Sequence, residues 1–366
     1  MIKIIDIYIV IITVLKGLGF NAGSKFYIVA FGFGCIILFN KVIKEKYSKK
    51  EIAVMVSLLS IGILDYLIGK TTTILFTVIT LCGLKNVDLK HIIKVVFYAK
   101  IITFVMMILG SSIGIIENTQ FLFYRDGQFL NRQTFGYSHP NETHAMFMII
   151  AILYLYLYYE KINIFSIGAI AVLNYIMYSY TYSRTGYWVV IMCLIIVFLE
   201  KHIGIMKKII LWFSKNAYIY LFLITIFISL MFGKIEFINK IDSILSGRIE
   251  YNNTILTKVR PGIIGTTEVN KYVNIDNGYI SLLYEGGIIA FVIISILEIK
   301  TSRSLYKKKM NKELMLLLFF NITCLTESYF PSISMNISLI LLAIPLFNNI
   351  EVNKDEKQNN DIYTNI

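Results

Sequence analysis

The chain has 366 residues, of which 57% are hydrophobic and 16% charged, with a mean hydropathy of +0.68. A soluble domain is about half apolar and about a quarter charged, so most of this chain cannot face water. The formal charge of +12, from 35 Lys and Arg against 23 Asp and Glu, is read as basic loops on one side of a membrane and not as a nucleic-acid footprint.

A membrane-crossing helix needs about 20 mostly apolar residues. Apolar runs of nearly that size predict helices at 4–20, 26–40, 52–68, 71–85, 93–115, 144–159, 162–180, 185–199, 209–232, 279–297, 314–328 and 335–350. Four prolines and 22 glycines interrupt the chain so sparsely that helices suit it better than a barrel. No small-residue cleavage site follows the first run, which is read as a retained helix. The runs at 26–40 and 71–85 are short, and 209–232 is broken by Ser214-Lys215-Asn216, an entry along the interface. The expected fold class is all-α integral membrane with about 12 transmembrane helices. One polytopic domain spans 1–350, and a polar, disordered cytoplasmic tail follows at 351–366.

Orientation follows from the basic residues. With the N-terminus inside, 22 of the 35 fall in cytoplasmic segments and 11 outside, so both termini are expected in the cytoplasm. Two external loops are long, 116–143 and 233–278. The part of the second at 236–257 has apolar residues at helical spacing, predicting an amphipathic helix on the outer membrane surface.

Arginine is sorted against the usual bias. Arg125, Arg132, Arg184, Arg248 and Arg260 all fall outside, and Arg303 alone falls inside, where lysine otherwise supplies the charge. Arginine offers a flat fork that grips phosphate or carboxylate through two parallel hydrogen bonds. Lys16, Asp65, Glu285 and Glu327 are placed near the external helix ends and predict a polar cavity opening there.

Three constellations carry the candidate chemistry. The first loop runs from Tyr124-Arg125 through Asn131-Arg132-Gln133 to Ser138-His139-Pro140-Asn141-Glu142, aromatic and amide-rich as sugar binding requires. Pro140 suits a helix start, with His139 or Ser138 at the cap. Tyr182-Ser183-Arg184-Thr185-Gly186 forms a short external turn between two helices. The second loop holds Ser246-Gly247-Arg248 and Arg260-Pro261-Gly262, and closes on Asp276-Asn277-Gly278-Tyr279 and Glu285-Gly286-Gly287. His139 and His144 are five apart and do not share a helical face, so no metal site is expected there. Cys35, Cys82, Cys193 and Cys324 are too scattered for a disulfide framework or a zinc site. No Walker loop is present.

In their order along the chain, these pieces resemble the Wzy-type polysaccharide repeat-unit polymerases and the related O-antigen ligases of bacterial envelopes. The residues that carry the resemblance are Asn131 to Asn141, Ser183-Arg184-Thr185-Gly186, Ser246-Gly247-Arg248, and Asp276 to Tyr279 followed by Glu285-Gly286. Arg125 and Gly136 also fit the Arg-x10-Gly spacing of some members. A second copy is absent, because Val259 stands eleven residues after Arg248 and Lys271 eleven after Arg260.

The resemblance implies a GT-C-like membrane glycosyltransferase that works without metal or cofactor at the outer face of the cytoplasmic membrane. The implied substrate is an undecaprenyl-pyrophosphate-linked oligosaccharide within the membrane lipid, with a chain-length regulator and a flippase as further partners and no nucleic acid. Arg184 and Arg248 are the expected binders of the leaving pyrophosphate, supported by Arg125, Arg132 or Arg260. Asn141, Asp276, Tyr279 and Glu285 are expected in the substrate site. For the catalytic base His139 is favoured, with the carboxylates Glu142, Asp276 and Glu285 as its rivals. A ligase, or a flippase of lipid-linked oligosaccharide, is the alternative expectation.

Overall fold

The computed structural model describes residues 4–20, 24–125 and 127–347, apart from the side chain of Asn270. The helices in chain order are α1 (Ile4–Gly17), α2 (Lys25–Lys44), α3 (Lys49–Gly69), α4 (Thr73–Cys82), α5 (Leu89–Ser112) and α6 (Pro140–Leu157). They continue as α7 (Ile164–Thr181), α8 (Arg184–His202), α9 (Gly204–Ser214), α10 (Ala217–Met231), α11 (Glu236–Ile244) and α12 (Arg248–Lys258). The last four are α13 (Gly278–Glu285), α14 (Gly287–Lys307), α15 (Asn311–Thr323) and α16 (Ala343–Phe347). Between α5 and α6, β1 (Gln120–Arg125) and β2 (Gln128–Gln133) form an antiparallel hairpin. The expected tail at 351–366 lies outside the described residues.

Among the described residues, five helices, α2, α3, α5, α7 and α8, are long and apolar enough to cross a membrane; α9 with α10, bent by 74°, makes a sixth if counted as one span. Apolar side chains cover the periphery: Phe26, Val29 and Phe165 are 72%, 73% and 83% exposed. The centre is reserved for α15, buried from Glu313 to Thr323, and for α6 and the 3-10 turn Ile337–Leu342. Large apolar residues on the outside, with backbone bonds closed inside helices, are what a lipid solvent demands. This is an all-α integral membrane protein.

The expected helices are redrawn at four places. The run at 279–297 is split into α13 and α14 at Gly286-Gly287, where the 262–266 loop crosses the break. Its carbonyls at Gly262 and Ile263 accept the amides of Ile288 and Ile289 at 3.0 and 3.2 Å. The run at 314–328 ends at Thr323, because the carbonyls of Cys324 and Leu325 are taken by Gly278 N and Asn277 Nδ2 at 2.8 and 3.0 Å. The run at 335–350 is, within its described residues, the 3-10 turn Ile337–Leu342 followed by α16; 348–350 lie outside the described residues. The single amphipathic helix expected at 236–257 is two helices, because Ser246 and Gly247 both adopt left-handed backbone, at φ 61 and 81.

Caps fix both ends of the bundle. At the lysine-rich end, Ser48 and Glu51 form a capping box on α3, Asp88 caps α5 and Asn163 caps α7. At the arginine-rich end, Ser24, His139 and Asn277 cap α2, α6 and α13. Helix α7 ends on Tyr182 in the left-handed region, and Ser183 leads directly into α8. Gly186 lets α8 close on α6: a Cβ there would sit 2.6 Å from the ring of His144. That ring bonds Thr181 Oγ1 and Asn174 Oδ1, each at 3.0 Å, and joins α6 to α7.

Candidate active site

The arginine-rich end opens into a cavity of about 1130 Å³. The hairpin supplies its first two cations. Its register sets Phe121 opposite Arg132 and Phe123 opposite Leu130. Side chains alternate across a strand, so Phe123, Arg125 and Arg132 share one face. Both guanidinium groups flank the Phe123 ring, at 4.8 and 5.8 Å from its centroid. Arg125 donates to the Tyr182 carbonyl at 3.5 Å, at the limit of a hydrogen bond. Arg132 is buried; it donates through Nε to the Thr181 carbonyl at 2.8 Å and through Nη2 to Asn141 Oδ1 at 2.6 Å. Burial and the neighbouring Arg125 lower its pKa to about 10, so it remains a cation at neutral pH.

Two helix starts supply the next pair. Arg184 is the first residue of α8 and lines the cavity beside Tyr182 and Thr185. Arg248 opens α12 straight after the left-handed Gly247, and Asp242 Oδ1 accepts the α12 amides of Ile249 and Glu250 at 2.7 and 3.3 Å. Arg248 is buried between Asp276, 3.7 Å away, and Glu327, 3.4 Å away. Both separations exceed those of close charge-assisted pairs, about 2.7–2.9 Å, so the guanidinium is held without being saturated.

Four carboxylates line the cavity. Glu142 is paired with Lys16 at 2.8 Å and accepts the Ser138 hydroxyl at 2.6 Å. Asp276 and Glu327 share Arg248. Glu285 accepts the Ser281 hydroxyl at 2.6 Å and, among the described residues, is the one of the four with no ion pair.

His139 caps α6, its Nδ1 accepting the Asn141 amide at 3.1 Å. An accepting Nδ1 leaves the proton of the neutral ring on Nε2, so this tautomer offers a donor and not a base. Burial, with Arg132 and Arg248 adding to it against Asp276 and Glu142, lowers the His139 pKa from its ordinary 6.5. The ring is neutral at pH 7.

Beneath the charged mouth the cavity continues between α1, α2 and α4, past Tyr8, Ile12, Tyr27 and Phe76 to Ile333 and Met335. The cavity thus joins a charged mouth to a part lined by Ile12, Phe76, Ile333 and Met335 together with the hydroxyl-bearing Tyr8, Tyr27, Thr73, Ser332 and Ser334.

Of the residues expected from sequence, Arg125, Arg132, His139, Asn141, Arg184, Arg248, Asp276 and Glu285 are brought together here. Lys16 and Glu327 join them. Asp65 does not line the cavity; it is fully buried and accepts the Thr71 hydroxyl at 2.8 Å. Arg260 is exposed in the loop after α12, away from the lining. Tyr279 lies in the core, its hydroxyl donating to the Asn321 carbonyl at 2.9 Å, because the Asn277 cap starts α13 with this side chain turned into the bundle. Glu327 was expected at a polar cavity, but the segment after it, from Ser328 to Ser334, was not singled out, because it reads as the short connection between the runs at 314–328 and 335–350. Among the described residues, no three His, Cys, Asp or Glu are grouped to hold a metal.

The fold and site together define a polytopic helical membrane protein with an arginine-rich cavity at one end of its bundle. Comparison with protein-family models, curated proteins and solved structures finds no match to this chain.

Proposed function

We propose that the chain is a membrane glycosyltransferase that polymerises undecaprenyl-pyrophosphate-linked oligosaccharide repeat units at the outer face of the cytoplasmic membrane. The observation that carries the reading is the convergence of four of the six arginines on one cavity that also reaches Ile12, Phe76, Ile333 and Met335. A lipid pyrophosphate is polyanionic at one end and hydrocarbon at the other; the arginines suit the first, and the apolar side chains deeper in the lining suit the start of the second. Both termini are cytoplasmic, with shortened and broken helices completing about 12 crossings.

In the transfer, the acceptor sugar hydroxyl attacks the anomeric carbon of the donor glycan. The new glycosidic C–O bond forms as the bond from that carbon to the pyrophosphate oxygen breaks. The hydroxyl proton passes to a carboxylate, and lipid pyrophosphate leaves. Glu285, which no cation among the described residues neutralises, fits the base; His139 fits a hydrogen-bond donor to the sugar or phosphate. Arg184 and Arg248 stabilise the charge growing on the leaving group, where fixed donors act most strongly, and Arg132 with Arg125 holds the outer phosphate. A chain-length regulator and a flippase are the expected partners.

The test is to delete the gene and size both the surface polysaccharide and its lipid-linked precursor by gel. Single repeat units replacing a ladder support the polymerase. Full-length polymer retained on its lipid would make the chain a ligase, and repeat units trapped on the cytoplasmic side would make it a flippase.

A pH profile tests the assignment to His139. Its cap to Asn141 requires an unprotonated Nδ1, so activity falls in a limb that starts below pH 6.5. The sign follows from the lowered pKa: the folded state disfavours the proton, and its advantage is lost as pH falls from 6.5 towards the folded value. Asparagine is also a good N-cap but does not titrate. His139→Asn is therefore expected to keep the fold and lose that limb; an unchanged limb would remove His139 from the account.

A further inference from the structure

The opposite, lysine-rich end carries a second pocket of about 420 Å³ where α9 turns into α10. Lys215, Asn216, Arg303, Tyr306 and Lys307 line it: three cations and no carboxylate. Neutral groups hold two of them, Arg303 and Lys215, in place. Arg303 Nε donates to Asn216 Oδ1 at 3.2 Å, Ser302 donates to the Lys215 carbonyl at 3.1 Å, and Lys215 Nζ lies 5.2 Å from the Tyr306 ring centroid. Nearby lysines are neutralised differently: Lys201 pairs with Glu160, Lys207 with Glu200 and Lys312 with Glu313. Among the described residues Lys215, Arg303 and Lys307 have no such pair. Three like charges gathered in one pocket repel one another until an anion enters.

The anion's character follows from the neighbouring surface. Asn216 occupies Nε of Arg303, leaving the two terminal nitrogens, the fork that matches a phosphate. Helix α9 meets α10 at 74°, too sharply for one straight span. Its Ile205, Ile209 and Trp212 follow one stripe at i, i+4 and i+7 and are 68%, 50% and 53% exposed. The helix therefore lies along the interface with an apolar edge open to lipid, and its C-terminal end reaches the pocket. A soluble phosphate would use the cations alone, whereas a phospholipid uses both cations and stripe.

We infer that the bend between α9 and α10 is a binding site for an anionic phospholipid, its phosphate on Arg303, Lys215 and Lys307 and its chains along α9. The site is separate from the cavity, and the inference holds whatever reaction that cavity performs.

The chain has two tryptophans, and Trp188→Phe leaves Trp212 as the reporter at this site. The full-length variant is reconstituted in phosphatidylcholine bilayers holding a minor fraction of brominated phosphatidylglycerol or, separately, of brominated phosphatidylcholine. The anionic lipid is expected to quench Trp212 several-fold more at equal fraction. Arg303→Gln or Lys215→Gln each lowers that preference about fivefold, the contribution of one basic residue near an anionic surface. Lys308→Gln with Lys309→Gln, which removes exposed charge outside the pocket, leaves it in place. Equal quenching by the two lipids overturns the inference. So does an equal loss in the Lys308/Lys309 variant, which would mean a general surface potential. Abolition of the preference by inorganic phosphate would assign the pocket to a soluble anion and also overturn it.

Discussion

Replacing Arg248 by Ala is expected to lower polymer formation by about 10²–10³-fold, the cost of removing one fixed donor from a developing charge. The residue is placed by backbone geometry that the substitution leaves alone: the left-handed Gly247, and the Asp242 carboxylate that caps α12. The chain should therefore still accumulate in the membrane, with lipid-linked single repeat units building up. Arg248→Lys is expected to recover only part of the activity, because an ammonium keeps the charge but not the planar fork. The same substitution leaves Glu327 and Asp276 without their shared cation, so Arg248→Ala should also be compared with Arg248→Ala/Glu327→Gln. If the loss comes from uncompensated carboxylate, the second change restores polymer. If it comes from the missing donor, polymer stays absent. Normal chain length in Arg248→Ala would sink the assignment.

Gly287→Ala is expected to destabilise the whole arginine-rich end. The residue sits at φ 76, where a side chain is strained, at a cost of about 1–3 kcal/mol from the backbone alone. Its Cβ would also fall 2.5 Å from the Ile264 carbonyl carbon and 2.7 Å from Gly265 N, both backbone atoms that cannot turn aside. Gly114 separates the two effects, since it has φ 79 but nothing within 4 Å of a Cβ. Gly114→Ala should therefore lose only the strain. The measurement is the thermal midpoint of the purified protein in detergent for both variants. Equal shifts would mean that the 262–266 crossing does not hold the α13–α14 break, and with it Glu285, in position.

The membrane class, the arginine sorting and the His139 cap were legible because each rests on local chemistry. Hydrophobic run length, basic-residue placement and a His-Pro pair before an apolar run need no tertiary information. The bend at Ser214-Lys215-Asn216 was legible for the same reason, as a polar break inside an apolar run. The hairpin was not, because Phe121 to Tyr124 and Phe129-Leu130 read equally well as interfacial aromatics. Its effect on the site is large, since the strand register is what brings Arg125 and Arg132 around Phe123. The stop of α15 at Thr323 was hidden too. It depends on Gly278 and Asn277 taking carbonyls from a segment more than forty residues later in the chain, which no local pattern records. Tyr279 and Arg260 were drawn into the site by adjacency to Asp276 and to the other arginines. A residue three positions from a site residue can point into the core, as Tyr279 does.

The most direct measurement of the central claim uses the purified chain in lipid nanodiscs with an undecaprenyl-pyrophosphate-linked repeat unit, followed by mass spectrometry. The account predicts lipid-linked glycan of two or more repeat units, free undecaprenyl pyrophosphate released in step with each bond, and neither product with Glu285→Gln or Arg248→Ala. Bound substrate that is never elongated, with no pyrophosphate carrier released by a folded wild-type chain, would contradict it.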